Sequence, residues 1–196
     1  MSNFRKELKL SLSNGELYDL IYFFGPKLEK LYNSRKITSR YFDTNDFKLY
    51  KDSINYDIDK FKFRFRKYSD SQKIYQEIKE NTKLGKYKKV KVTEYKSFDE
   101  VNSVVYKDLN LFPCLEIEYN RDYYKLENTR ITIDKKIKFR NTLNRSSQLI
   151  NLGFYKNIVE FKILNLDNTE IENNIPYNTI NFSKYVHGVQ KIYNLN

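Results

Sequence analysis

Several strings in the chain place ionisable residues two positions apart. They are Arg64 and Arg66 in KFKFRFRK, Glu77 and Lys79 in YQEIKE, Glu160 and Lys162 in VEFKI, and Glu7 and Lys9 in RKELK. Tyr119 and Arg121 in EYNR, and Arg130, Thr132 and Asp134 in RITID, follow the same rule. Spacing of two puts such side chains on one face of a strand. Paired guanidinium groups can clamp phosphate oxygens bidentately, while lysines act as point charges. A few carboxylates among them could hold a divalent metal bridging the same oxygens. The partner these residue types suit is a polyanion such as nucleic acid, an acidic membrane surface or a phosphate-rich small molecule, and a polyphosphate chain is a suitable one.

Strands must position these residues, because the opposite faces are apolar. Phe61, Phe63 and Phe65 alternate with Lys62, Arg64 and Arg66, and Val159, Phe161 and Ile163 alternate with Glu160 and Lys162. A first helix is expected over Gly15–Leu31, with Asn14 as cap and Gly25-Pro26 as a break. A second is expected from Ser97, where Ser97 and Glu100 have capping-box spacing ahead of Val101, Val104, Val105 and Leu109. A third short helix is expected near Ser183. Many strands and few helices predict an antiparallel α+β domain. Neither a repeat nor a Pro- or Gly-rich linker divides the chain, so the reading is one domain over residues 1–196.

A charged sheet face is ordinarily a solvated one. Here at least five strands present such faces, and closing the sheet into a barrel would turn them inward, leaving aromatic faces outside under helices. Unpaired buried charge costs several kcal/mol per ion, so a charged interior calls for an anionic ligand or a metal.

Composition bounds the rest. The chain of 196 residues has 36 Lys plus Arg against 25 Asp plus Glu, hence a net charge of +11, which suits a polyanionic partner. With 18 Tyr and 14 Phe it is not a disordered chain. The most apolar stretch, Leu17 to Phe24, is interrupted by Asp19 and is far short of the roughly 20 residues that cross a bilayer. The N-terminus lacks the apolar core of a signal peptide, so a cytoplasmic protein is expected. The single cysteine, Cys114, is read as core, and the single histidine, His187, as a packing or cap contact, since one His does not make a metal site.

The strings SRYFDTNDFKLYKDS, RFR, QEIKENTKLGKYKK, EYNRDYYKLENTRITID, VEFKI and FSKYVHGV occur in that order. This series resembles the catalytic domain of the vacuolar transporter chaperone (VTC) polyphosphate polymerases. That family belongs to the triphosphate tunnel metalloenzymes (CYTH-like proteins), with thiamine triphosphatases and the fungal type of RNA triphosphatase. The resemblance implies a closed antiparallel barrel of about eight strands around a basic tunnel.

By the same resemblance Arg64 and Arg66 grip the terminal phosphates of a nucleotide, with Lys79, Arg121, Arg130 and Lys184 as further catalytic cations. Lys9, Lys89, Tyr119 and Lys162 line the substrate path, and the match of Lys89 depends on gap placement, since Lys88 faces the other way. Glu160 is the first choice for the metal ligand and Glu7 the second, the metal being Mn²⁺ or Mg²⁺. Two positions depart from the family pattern: Arg5 stands where tunnel enzymes carry a first-strand Glu, and Asn181 where a basic residue is common. Asp43 and Asp134 are read as turn and strand-end residues.

The implied activity is transfer of the γ-phosphoryl group of ATP onto a growing polyphosphate chain. Metal-dependent triphosphatase activity on tripolyphosphate, a nucleoside triphosphate or an RNA 5′ end is the alternative, and Arg5 leans against it. A non-catalytic platform for RNA or another polyanion is a third reading. Nucleic acid is disfavoured, because the phenylalanines of KFKFRFRK face away from its cations. Eukaryotic members carry a membrane anchor that this chain has no room for. Insertion in a membrane is therefore not expected, and a membrane-bound partner stays open.

Overall fold

The computed structural model describes residues 6–55, 59–144, 148–151, 156–163 and 175–195. Its strands are β1 (Lys6–Leu12), β2 (Glu29–Asp43), β3 (Lys60–Tyr68), β4 (Ile74–Thr82), β5 (Gly85–Val92), β6 (Val104–Tyr106), β7 (Leu109–Leu126), β8 (Thr129–Asn141), β9 (Ile150–Asn151) and β10 (Asn157–Ile163). Its helices are α1 (Asn14–Phe24), α2 (Lys48–Ile54) and α3 (Lys184–Tyr193). The strands hydrogen-bond in the order β1-β10-β8-β7-β2-β3-β4-β5, with β6 on β7 and β9 on β8. The antiparallel α+β class is as the sequence predicts. Among the described residues the strand path is open, with β1 and β5 at its ends.

Contacts divide the chain into two units. The first comprises Met1–Arg35, Tyr119–Ile137 and Asn151–Phe182. In it, Glu7 pairs with Lys162 and Lys9 with Glu160, and on the other side of β10 Lys162 pairs with Arg130 and Glu160 with Thr132. Directly opposed residues share a face. The alternate positions Leu8, Leu10, Val159, Phe161, Ile131 and Ile133 therefore form the other face, which packs under Leu17 and Leu20 of α1. Ser13, not Asn14, caps α1 and forms a capping box with Glu16. The expected break falls at Gly25-Pro26: the helix stops at Phe24, Gly25 takes a positive φ of 49°, Gly25–Lys27 form a single 3-10 turn, and from Glu29 onward the chain is strand β2.

The second unit comprises Lys36–Glu118, Lys138–Ile150 and Ser183–Asn196. Phe61, Phe63 and Phe65 of β3 build its core with Phe42, Leu49, Ile74, Ile78, Val101 and Leu111. The capping box at Ser97 and Glu100 is present but caps one 3-10 turn, Phe98–Glu100. The expected helix beyond it is the hairpin β6–β7 instead. Val104 and Val105 are β-branched, and Lys107 and Asp108 both take positive φ, as a two-residue type I′ turn requires. Helix α2 is an addition to the expected set. Its N-terminus is held by Asp43, whose carboxylate accepts from the backbone N–H of Thr44 (2.7 Å), Leu49 (2.8 Å) and Tyr50 (3.0 Å). Helix α3 starts at Ser183 as expected, and its Gly188 lies so close to the sheet that a Cβ there would stand 2.5 Å from Leu115 Cδ2 and 2.8 Å from Phe139 Cδ1.

Candidate functional site: two charged sheet faces

In the second unit the β3–β4 register sets Arg64 opposite Glu77. Glu77 Oε2 accepts from Arg64 Nε (2.9 Å) and Nη2 (2.5 Å), lies 3.5 Å from Arg66 Nη1, and its Oε1 lies 3.1 Å from Lys88 Nζ. Burial pushes the Glu77 carboxyl up, but Arg64, Arg66 and Lys88 outweigh it and bring its pKa down to about 2. Arg64 Nη1 also donates to Tyr41 Oη (2.5 Å), and Arg66 Nε to Ser39 Oγ (3.0 Å). Burial would raise the Tyr41 phenol, yet Arg64, Arg66 and Lys62 lower it to about 8. Tyr41 stacks on Tyr185 of α3 with ring centres 5.1 Å apart, and the Tyr185 hydroxyl donates to Asp43.

The register also lines up Lys62, Lys79 and Lys88 as a rung across β3, β4 and β5. Glu77 is the one carboxylate on that face of these three strands. Like charges side by side across strands are unfavourable, so an anion lying on this face would relieve their repulsion. Lys62 Nζ donates to Ser183 Oγ (2.8 Å) at the cap of α3, and Lys184, the first residue of α3, is half-buried beside it. Lys89 is placed elsewhere. It pairs with Ile78 on the phenylalanine side and forms an ion pair with Glu80 (3.0 Å), so Lys88 is the β5 lysine that faces the arginines.

The face of the first unit is mixed in charge. Lys9 pairs with Glu7 (2.9 Å) and Lys162 with Glu160 (2.8 Å). Burial raises the Glu160 carboxyl, Lys162 lowers it, Glu7 raises it again, and the balance is a lowered pKa. Arg121 makes a two-pronged contact with Asp134 through Nε (2.5 Å) and Nη2 (2.7 Å), over the ring of Tyr119. Burial would weaken the Arg121 charge, but Tyr119, Asp134 and Glu160 hold its pKa well above the usual value. Arg130 is exposed opposite Lys162. Lys9 Nζ donates to the carbonyl of Phe182 (2.9 Å), beside Asn181.

Glu7 and Glu160 sit on neighbouring strands and influence each other's charge, and both offer hard oxygen donors. Among the described residues no group of three or more His, Cys, Asp or Glu is arranged around a metal position. Two carboxylates fit a Mg²⁺ or Mn²⁺ ion that takes its remaining ligands from phosphate oxygens and water. Arg5 lies outside the described residues. His187 is a cap contact, its Nδ1 3.1 Å from the Ser183 carbonyl oxygen, and Cys114 is buried with its thiol pushed well up by burial.

The sequence reading left out Glu77, Tyr41, Ser39, Lys88 and Asp134 as site residues. The signal for the acids and hydroxyls was the need of each arginine on the charged faces for a partner, and that for Lys88 was the alternation along β5, both of which only the strand register can assign.

Comparison with known proteins agrees with this architecture. A candidate adenylate cyclase of Bacillus halodurans superposes with a TM-score of 0.62 at 14% identity, over 96% of this chain and 98% of that one. The PH1819 protein of Pyrococcus horikoshii gives a TM-score of 0.57 at 12% identity, over 96% and 99%. HpAC1 of Hippeastrum, described as having a dominant triphosphatase activity, gives 0.51 at 14% identity over 93% of both chains. No curated protein sequence matches the chain. The sequence pattern of the VTC domain does match, from residue 4 to residue 193, and the chain belongs to the VTC domain family.

Proposed function

We propose that this chain is a polyphosphate polymerase that transfers the γ-phosphoryl group of ATP to the end of a growing polyphosphate chain, in the cytoplasm. The observation that carries the reading is the convergence of Arg64, Arg66 and Lys88 on Glu77, in a chain matched to the VTC domain along almost its whole length. Two guanidinium groups held side by side by one carboxylate are oriented before substrate arrives, which removes part of the entropic cost of gripping a phosphoryl group. Closure of the sheet into the family's barrel belongs to this proposal.

In the step itself, a terminal oxygen of the polyphosphate chain attacks the γ-phosphorus of ATP. The bond from that phosphorus to the β–γ bridging oxygen breaks, and ADP leaves. Arg64, Arg66, Lys79 and Lys184 neutralise charge developing on the transferred group and the leaving oxygen. Arg121 and Arg130, with Lys9, Lys162 and Tyr119, hold the chain in line. Glu160 and Glu7 would hold Mn²⁺ or Mg²⁺, which supplies charge neutralisation on phosphate oxygens when bound.

Hydrolysis by the same residues is the second reading, favoured by the triphosphatase activity described for HpAC1. Base stacking on β3 has little support. Phe61, Phe63 and Phe65 are 7%, 2% and 1% exposed and belong to the core.

The test is incubation with ATP and Mn²⁺, with and without pyrophosphate as primer, followed by a gel stained for polyphosphate and quantification of ADP and free phosphate. A nuclease-resistant ladder that an exopolyphosphatase removes is the expected result. Phosphate release without a ladder would replace the polymerase with a triphosphatase.

A further inference from the structure

On the other side of the second unit's sheet from Arg64 lies a cavity of about 300 Å³, lined in part by Arg40, Arg140, Asp99, Asn102 and Thr142. The register sets Arg40 of β2 opposite Phe65, on the phenylalanine face, so this cavity and the Arg64–Glu77 cluster occupy opposite faces. Glu116 of β7, 2% exposed, ties the two arginines together: it accepts from Arg40 Nε (3.1 Å) and Nη2 (2.9 Å) through one oxygen, and from Arg140 Nη2 through the other. One buried carboxylate offsets one of two guanidinium charges. The other is met by Asp99, whose side chain is 81% exposed and whose carboxylate accepts from Arg40 Nη1 (2.8 Å).

The asymmetry between the two carboxylates matters. Glu116 is fixed and buried, and it holds the guanidinium groups in place much as a binding site orients its donors. Asp99 stands on a single 3-10 turn facing water, where its ion pair is weak and exchangeable. Among the described residues Arg140 has Glu116 as its sole partner, so its Nε and Nη1 hydrogens remain available beside the cavity. Among the described residues the Thr142 hydroxyl at the wall is buried without a hydrogen-bond partner.

The geometry points to a second anion site here, one that takes a phosphoryl group in place of the Asp99 carboxylate. Donors come from two strands, and a tetrahedral oxyanion can meet both arginines at once, whereas a carboxylate is satisfied by one fork. The volume is at the lower end of small-molecule pockets, enough for a phosphate ion or a small phosphomonoester. Asp99 is then an internal competitor that occupies Arg40 until the ligand arrives. None of these residues takes part in the proposed phosphoryl transfer, so the site stands or falls independently of it.

Calorimetric titration of the whole chain with inorganic phosphate, glycerol 3-phosphate and acetate tests it. Saturable phosphate binding should persist in Arg66→Ala, weaken at least tenfold in Arg140→Gln, and tighten several-fold in Asp99→Ala. If glycerol 3-phosphate binds more tightly than phosphate, the natural ligand is a phosphomonoester, and if it binds more weakly, the free ion. Absence of a saturable component in Arg66→Ala, indifference to Arg140→Gln, or acetate binding as well as phosphate would overturn the assignment. Should Arg140→Gln fail to fold, Asp99→Ala decides alone, since tightening upholds the competitor role and no change or weakening refutes it.

Discussion

Glu77 meets two nitrogens of Arg64 with a single oxygen, leaving its second oxygen to Lys88. One buried carboxylate thus sets the position of several cations. Its pKa falls from the usual 4.5 to about 2 in the folded chain, so folding favours the ionised form. The resulting stabilisation is complete above pH 4.5 and is lost as the pH falls towards 2, and the shift corresponds to about 3 kcal/mol. Urea unfolding at a series of pH values should show this loss. Glu77→Gln should flatten the dependence and lower stability at neutral pH by about 3 kcal/mol, because buried arginine charge is left without its counterion.

Tyr41 should titrate well below the ordinary range of a phenol. Its phenol is lowered to about 8, so a tyrosinate absorbance step near pH 8 is expected, and Tyr41→Phe should remove it. With the folded pKa below the unfolded value near 10, stability from this group rises between pH 8 and 10 and is absent below 8. Absence of a step near pH 8, or its persistence in Tyr41→Phe, would contradict the placement.

Arg66→Ala should reduce polyphosphate synthesis by about a hundredfold or more while the fold persists, the loss typical of removing one donor aimed at developing charge. Initial rates and a circular dichroism melt on the same sample check both halves of this expectation.

Glu160→Gln should raise the Mn²⁺ concentration needed for half-maximal rate by roughly ten- to a hundredfold, with Glu7→Gln acting in the same direction. A metal titration unchanged in both variants would remove these carboxylates from the metal site.

Gly188→Ala should destabilise by about 1–3 kcal/mol, since the new methyl meets Leu115 and Phe139 at 2.5 and 2.8 Å in a packed core. Denaturant midpoints measure this.

The two-residue alternation in KFKFRFRK was enough to separate a phenylalanine core from an arginine face, and VEFKI with RKELK separated the faces of the first unit in the same way. Partner choice was not legible. Whether Lys88 or Lys89 faces Arg64 depends on where the β4–β5 turn falls, which a shift of one residue reverses. Helix α2 is seven residues long, too short to declare a helical period, and what fixes its start is a carboxylate on the strand before it. At Ser97 the opposite happened: a true capping signal announced a helix that β-branched residues ended after one turn.

Asp43 accepts a hydrogen bond from the hydroxyl of Tyr185, a residue that lies 142 positions further along the chain, and also holds the first turn of α2. During synthesis the end of β2 leaves the ribosome long before its partner exists. Until α3 emerges, the buried acid lacks the phenol that satisfies it, and Tyr41 lacks the ring that covers it. The arginine-bearing unit therefore cannot complete its packing in the order in which it is made. Its maturation waits for the segment around residue 185, and a stalled or shortened chain would carry the basic strands without the helix that closes over them.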